Sequence, residues 1–159
     1  MSNGPEICLY LTDADATARL GQWFAARLGP GDCLLLEGQI GAGKSHFARA
    51  FIQARLGRAE DVPSPTFTLV QTYQADVEIW HADLYRLTHP DEVLELGLDE
   101  AFGQAICLIE WPDRLGKSLP MGAMRLRFQP KDEGRVVRFD PGQRADLAAA
   151  LARDWANDV

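Results

Sequence analysis

Cys33-Leu34-Leu35-Leu36-Glu37 runs directly into Gly38-Gln39-Ile40-Gly41-Ala42-Gly43-Lys44-Ser45. The first five residues predict a short strand buried on both faces of a parallel sheet. The next eight match G-x-x-x-x-G-K-[ST], and Lys44 to about Leu56 predicts a helix ended by Gly57. Glycines let successive backbone N–H groups turn inward around an anion, and the helix N-terminus adds its partial positive charge. In such a loop the lysine, Lys44, reaches the β- and γ-phosphates of a nucleotide, and the hydroxyl of Ser45 faces Mg²⁺. The chain has three lysines, Lys44, Lys117 and Lys131, and one of them stands where this chemistry needs it.

Outward from this unit, the chain predicts a mixed α/β sheet with helices on its faces. Glu6–Leu11 has strand composition, and Thr12 or Asp13 caps a helix running to about Leu28, with Ala16, Leu20, Trp23, Phe24 and Leu28 at helical spacing. Thr66–Tyr73 alternates as a strand, and Val77–Trp80 follows after a turn at Ala75-Asp76. Pro90 fits the first turn of an acidic helix containing Val93, Leu94 and Leu96. Ile106–Ile109 predicts a second buried strand stopped by Trp111-Pro112. Met124–Phe128 and Val136–Phe139 predict a late antiparallel pair, and Ala145–Trp155 a terminal helix. The expected architecture is a P-loop NTPase-like mixed sheet with a parallel core, flanking helices and late antiparallel strands, one domain over residues 1–159.

Composition limits the function classes. The chain has 159 residues, is 47% hydrophobic and 25% charged, and carries a net charge of −7, the profile of an ordinary globular protein. Its apolar runs are far shorter than the ~20 residues that span a bilayer. Met1-Ser2-Asn3-Gly4-Pro5-Glu6 has no basic region and no apolar stretch, so no signal peptide is expected. Cys8, Cys33 and Cys107 lie far apart in strand-like runs, and buried thiols in a cytoplasmic protein are the expectation. Charge is uneven. Residues 76–113 hold ten acids against Arg86, and residues 114–144 hold eight bases against three acids. Two solvated faces are the plain expectation, and an acidic docking or metal-bearing face beside a phosphate- or RNA-facing basic one is the alternative. The net acidity argues against strong nucleic-acid binding by this chain alone.

A phosphate-bound Mg²⁺ commonly requires an acid at the end of a neighbouring buried strand. Glu110, after Ile106-Cys107-Leu108-Ile109, and Asp83, after Ile79-Trp80-His81-Ala82, both qualify. Thr66 in Ser64-Pro65-Thr66 is a candidate switch residue sensing the γ-phosphate. Asn3 and Asn157 are the only asparagines, so a guanine-reading Asn-Lys-x-Asp is impossible and ATP is favoured over GTP. His46, His81 and His89 lack ligand-like spacing, which assigns them solvated or core roles rather than metal binding.

Gly38–Ser45, Ser64-Pro65-Thr66-Phe67-Thr68-Leu69-Val70, His81-Ala82-Asp83-Leu84-Tyr85-Arg86-Leu87 and Leu108-Ile109-Glu110-Trp111-Pro112 occur in that order. The series resembles the TsaE (YjeE) family, bacterial ATPases supporting threonylcarbamoyladenosine modification of tRNA, and covers residues 38–113 well. The resemblance implies slow, Mg²⁺-dependent ATP hydrolysis in a complex with TsaB and TsaD, with tRNA met through the complex. TsaD would carry the transferase chemistry. It implies nucleotide contacts from Gly38, Gly41, Ala42, Gly43, Lys44, Ser45, His46, Asp83, Trp111 and Arg135. Ser45 and Glu110 would hold the metal, and Asp83, Glu110 and Thr66 would be catalytic. Adenine would lie near Asp13–Thr17.

This chain departs from the common family loop at Gln39-Ile40, Ser45 and His46, and Ala82 replaces an aromatic before Asp83. Ser45 keeps the hydroxyl, whereas His46 replaces a second one, which makes nucleotide affinity the quantity at stake. The alternatives to a partner-dependent ATPase are a P-loop small-molecule kinase with Asp83 as base, and a nucleotide-dependent regulator that does not hydrolyse.

Overall fold

The computed structural model describes residues 6–58, 60–63, 65 and 68–155. Seven strands form one sheet in the order β1-β7-β6-β2-β5-β4-β3. They span Ile7–Leu11 (β1), Cys33–Glu37 (β2), Val70–Gln74 (β3), Glu78–Asp83 (β4), Ile106–Glu110 (β5), Met124–Lys131 (β6) and Gly134–Asp140 (β7). The helices are Ala14–Ala25 (α1), Lys44–Leu56 (α2), Asp91–Leu94 (α3), Leu98–Ala101 (α4) and Ala145–Trp155 (α5). A 3-10 segment, Pro112–Ser118, follows β5. β6, β2, β5 and β4 are mutually parallel, while β3 pairs antiparallel with β4, and β7 with both β6 and β1. The mixed sheet with its parallel core and late antiparallel strands is therefore the architecture expected from the sequence.

Two cores sit on opposite faces. Leu34, Leu36, Ile106 and Leu108 join Leu9, Leu126, Phe128, Val137 and Phe139 beneath α1, α2 and α5. Phe24 of α1 contacts Phe47 of α2 and Phe139 of β7 edge-on, at centroid distances of 5.9 and 5.1 Å. Cys33, Leu35, Cys107 and Ile109 enter the other core with Leu84, Val93, Leu98 and Leu115. β2 and β5 are thus covered on both faces, which explains their unbroken apolar composition. Cys33 and Cys107 are buried, and burial pushes the Cys107 thiol up to about 12. Cys8 is exposed, contrary to expectation. It occupies the face of β1 that neither core covers.

Other departures have local causes. α1 stops at Ala25 rather than Leu28, and Arg55 Nη1 donates to the carbonyls of Ala25 and Leu28 at this end, each at 2.6 Å. The acidic helix after Pro90 is split into α3 and α4 by Gly97, whose φ of 95° leaves the helical region. The strand expected over Thr66–Tyr73 begins at Val70 in its described part, since Leu69 has a φ of 67°. β4 extends to Asp83 because it lies in register beside β5. The turn Pro112–Ser118 was not anticipated. Among the described residues, no helix is long and apolar enough to cross a membrane.

Candidate functional site

β2, β4 and β5 end at one edge of the sheet, where open α/β sheets bind ligands. β2 delivers Gly38–Gly43 to the start of α2. β4 ends in Asp83 and β5 in Glu110, which are partners in the parallel register. β7 runs antiparallel, so its first residues, including Arg135, arrive at this same edge. Together they form a cleft of about 550 Å³, lined by Ile40, Gly41, Gly43, Lys44, Ser45, His46, Asp83, Tyr85, Arg86, Glu110, Trp111, Arg135 and Ala14.

The loop conformation depends on glycine at two close approaches. Gly43 has a φ of 112°, and a Cβ there would stand 1.9 Å from Arg135 Nη1. Gly38 has a φ of 145°, and its Cβ would meet the Phe128 carbonyl at 2.6 Å. Arg135 Nη1 donates to the Ala42 carbonyl at 2.8 Å and ties β7 to the loop. The first N–H groups of a helix have no partner within it, and Lys44, Ser45 and His46, which begin α2, line the cleft.

Lys44 is 4% exposed. Its ammonium donates to the Gly38 carbonyl at 2.6 Å and lies 3.6 Å from the centroid of the Trp111 ring. Burial holds it below lysine's ordinary 10.5, against the opposite pull of Glu110, Asp83 and Asp113. Trp111 adopts a φ of 59°, rare for a bulky residue, and packs on Tyr85 at 4.9 Å. That backbone turn swings the indole over the lysine directly after β5. Ser45 Oγ donates to Glu110 Oε1 at 3.1 Å. Asp83 is 6% exposed, and its Oδ1 accepts the Tyr85 N–H at 3.1 Å. His46 Nε2 lies 3.0 Å from the Ala14 carbonyl, so the substituted loop residue bridges to the N-terminus of α1.

Lys44, Ser45, His46, Asp83, Glu110, Trp111 and Arg135 therefore converge on one cleft with Gly41 and Gly43. Thr66 lies outside the described residues. Tyr85 and Arg86 also line the cleft, and their place within His81–Leu87, next to Asp83, was the available signal. His81 is buried, in keeping with the core role expected of it, and its Nε2 also pairs with Glu110 Oε2 at 2.7 Å. The alternation of β4 puts residues 81 and 83 on one side, but the partner across the sheet is set by register alone.

Four of the eight bases in residues 114–144 form ion pairs among the described residues. Arg125 and Arg127 meet Glu37 at 3.0 and 3.4 Å, Arg138 and Arg127 meet Glu6, and Arg144 meets Asp32 at 2.6 Å. These pairs offset part of the charge of the basic segment.

A glycine loop between a doubly buried strand and a helix, with two carboxylates ending adjacent strands, defines a protein of the P-loop class. The chain belongs to the TsaE family: the family model for "Threonylcarbamoyl adenosine biosynthesis protein TsaE" matches residues 11–137. The chain is 40% identical over 128 residues to the tRNA threonylcarbamoyladenosine biosynthesis protein TsaE of Bacillus subtilis, covering 79% of each chain. It is 38% identical to the protein of that name from Rickettsia felis, over 80% of this chain and 75% of the relative. The fold matches the crystal structure of Bacillus subtilis YdiB with a TM-score of 0.78 and 30% identity, covering 94% of this chain and 96% of that one.

Proposed function

We propose that this protein is the Mg²⁺-dependent ATPase subunit of the machinery that places threonylcarbamoyl on tRNA adenosine beside the anticodon, working with TsaB and TsaD in the cytoplasm. The observation that carries the reading is the convergence of Lys44, Ser45, Glu110 and Asp83 on a single glycine-cradled cleft. Family membership supports the pathway.

The chain's own residues fit a nucleotide and its metal. The loop requires glycine at Gly43, where any Cβ would collide with the group that anchors the loop. Ser45 and Glu110 supply oxygen ligands of the kind Mg²⁺ takes, alone or through water. Among the described residues, no three His, Cys, Asp or Glu side chains form a metal-ligating group. A site with so few protein oxygens suits Mg²⁺ held jointly with substrate phosphates. When bound, the metal neutralises charge on the phosphates. Lys44 exchanges its contacts to Gly38 and Trp111 for phosphate oxygens. Asp83, fixed by the Tyr85 N–H, orients the attacking water. Gly38, Gly41, Ala42 and Gly43 provide the backbone cradle, His46, Trp111 and Arg135 border the nucleotide, and Arg135 also holds the Ala42 carbonyl. Thr66 senses the γ-phosphate.

The test is phosphate release by the purified chain, alone and with the TsaB and TsaD of the same genome. Slow release alone, stimulation by the partners and loss in Lys44→Ala are expected. Transfer of phosphate to a small acceptor, or hydrolysis that persists in Lys44→Ala, overturns the reading. Glu110→Ala is expected to weaken Mg²⁺-dependent ATP binding, whereas Asp83→Ala keeps binding and loses turnover, as titration calorimetry and phosphate release would show.

A further inference from the structure

One buried polar side chain in the cleft's floor has no part in the chemistry above. His81 lies on β4, and its Nε2 is 2.7 Å from Glu110 Oε2, with both side chains 2% exposed. The other carboxylate oxygen accepts the Ser45 hydroxyl. A carboxylate only accepts, so Nε2 carries the hydrogen. The second ring nitrogen, Nδ1, is buried and has no hydrogen-bond partner among the described residues. An unpaired buried ring nitrogen is a cost, so filling space is not what an imidazole contributes at this place. What the imidazole contributes here is its Nε2–H. Without that donor, Oε2 becomes a buried anionic oxygen that has lost its partner, in a cleft that also holds the buried Lys44 ammonium. A Glu110 drawn to Lys44 would withdraw the metal acid and the phosphate-binding lysine at once.

We propose that His81 is a positioning residue: its Nε2–H holds the Glu110 carboxylate turned toward Ser45, in the orientation that receives Mg²⁺ with the nucleotide. The proposal rests on the Mg²⁺·ATP reading above and adds to it a residue that touches neither ligand. It acts at one distance, Nε2 to Oε2, and so separates from general packing by side-chain length. Glutamine places a donor amide nitrogen at the reach of Nε2. Asparagine carries the same amide too short to arrive, and leucine has no donor.

The test is titration calorimetry of the full chain with ATP, in Mg²⁺ and in EDTA, for wild type, His81→Leu, His81→Gln, Glu110→Gln and the His81→Leu/Glu110→Gln double variant. Expected is a loss of about 10- to 100-fold in affinity for ATP with Mg²⁺ in His81→Leu. Affinity in EDTA should stay within about twofold, because only the metal term is removed. His81→Gln should recover most of the loss, and His81→Leu should add nothing once Glu110 is Gln. Equal loss with and without Mg²⁺, no loss at all, or failure of His81→Gln to recover would overturn the role. If His81→Leu does not fold, His81→Gln against His81→Asn decides by the same criteria. Wild type that binds ATP equally in Mg²⁺ and EDTA overturns the Mg²⁺ reading itself, and His81's role with it.

Discussion

In β2 and β5, alternate side chains enter two different cores, one beneath α1, α2 and α5 and the other beneath α3, α4 and the 3-10 turn. In β6, β7 and β1 a single face is covered. The other carries Arg125, Arg127, Arg138, Val136, Tyr10 and the exposed Cys8, with Glu6 and Glu37 among the arginines. The parallel half brings three chemical groups to its strand ends: the glycine loop, Asp83 and Glu110. The antiparallel half sends one residue into the cleft, Arg135, and that residue reaches a loop carbonyl. Burial on both faces is what lets two carboxylates and a lysine be kept in one place at low exposure. A half open to water screens its charges pair by pair instead.

The largest effect should come from breaking the doubly buried half. Leu108→Ala is expected to cost about 2–5 kcal/mol in urea unfolding, whereas Val136→Ala on the open face costs about 1 kcal/mol or less. Equal losses would erase the distinction between the halves. Next, Lys44→Ala should lower ATP affinity about 10- to 100-fold by calorimetry, the value of a charge-assisted contact, while Lys131→Ala in the antiparallel half leaves it unchanged. Third, Gly43→Ala combines a φ of 112° with the clash on Arg135. It should weaken ATP binding by about 1–3 kcal/mol, and Arg135→Ala should relieve the steric part but not the backbone part. Glu37→Gln removes the partner shared by Arg125 and Arg127, and should cost at most about 1 kcal/mol of stability, a difference that shrinks in high salt.

The smallest effect is one of pH. Hydrogen bonds from Arg144 to Asp146 and from Trp23 to Asp154 hold these α5 carboxyls below their ordinary 3.8. Because the folded-state values are lowered, the stabilisation is present above 3.8 and is lost as pH falls below it. The urea midpoint should therefore decline between pH 4 and lower pH, and less steeply in Arg144→Gln.

Much of the parallel half was legible beforehand because its signals are local. β2 and β5 are uniformly apolar, Gly57 ends α2, and Asp83 and Glu110 follow strands directly. Where neighbours in space are distant in sequence, the same signals were silent. Nothing in Met124–Lys131 reveals that it lies parallel to β2, since that depends on which edge the strand finds free. Cys8 has the same local sequence character as Cys33, and differs only in which face the helices leave bare. The carbonyl of Ala25 at the end of α1 is satisfied by an arginine thirty residues later in the chain.

The sequence alone determined a strand, a glycine turn and a helix in immediate succession, and with them the phosphate cradle and its lysine. It also placed two acids at the ends of strands, because strand endings are written in consecutive residues. The tertiary structure decided that those acids stand side by side, that Trp111 covers Lys44, that Arg135 anchors the loop and that His81 grips Glu110. These are pairings between segments whose proximity follows from sheet order and register, and the lowest free energy of the whole packed sheet, not any one stretch, selects them.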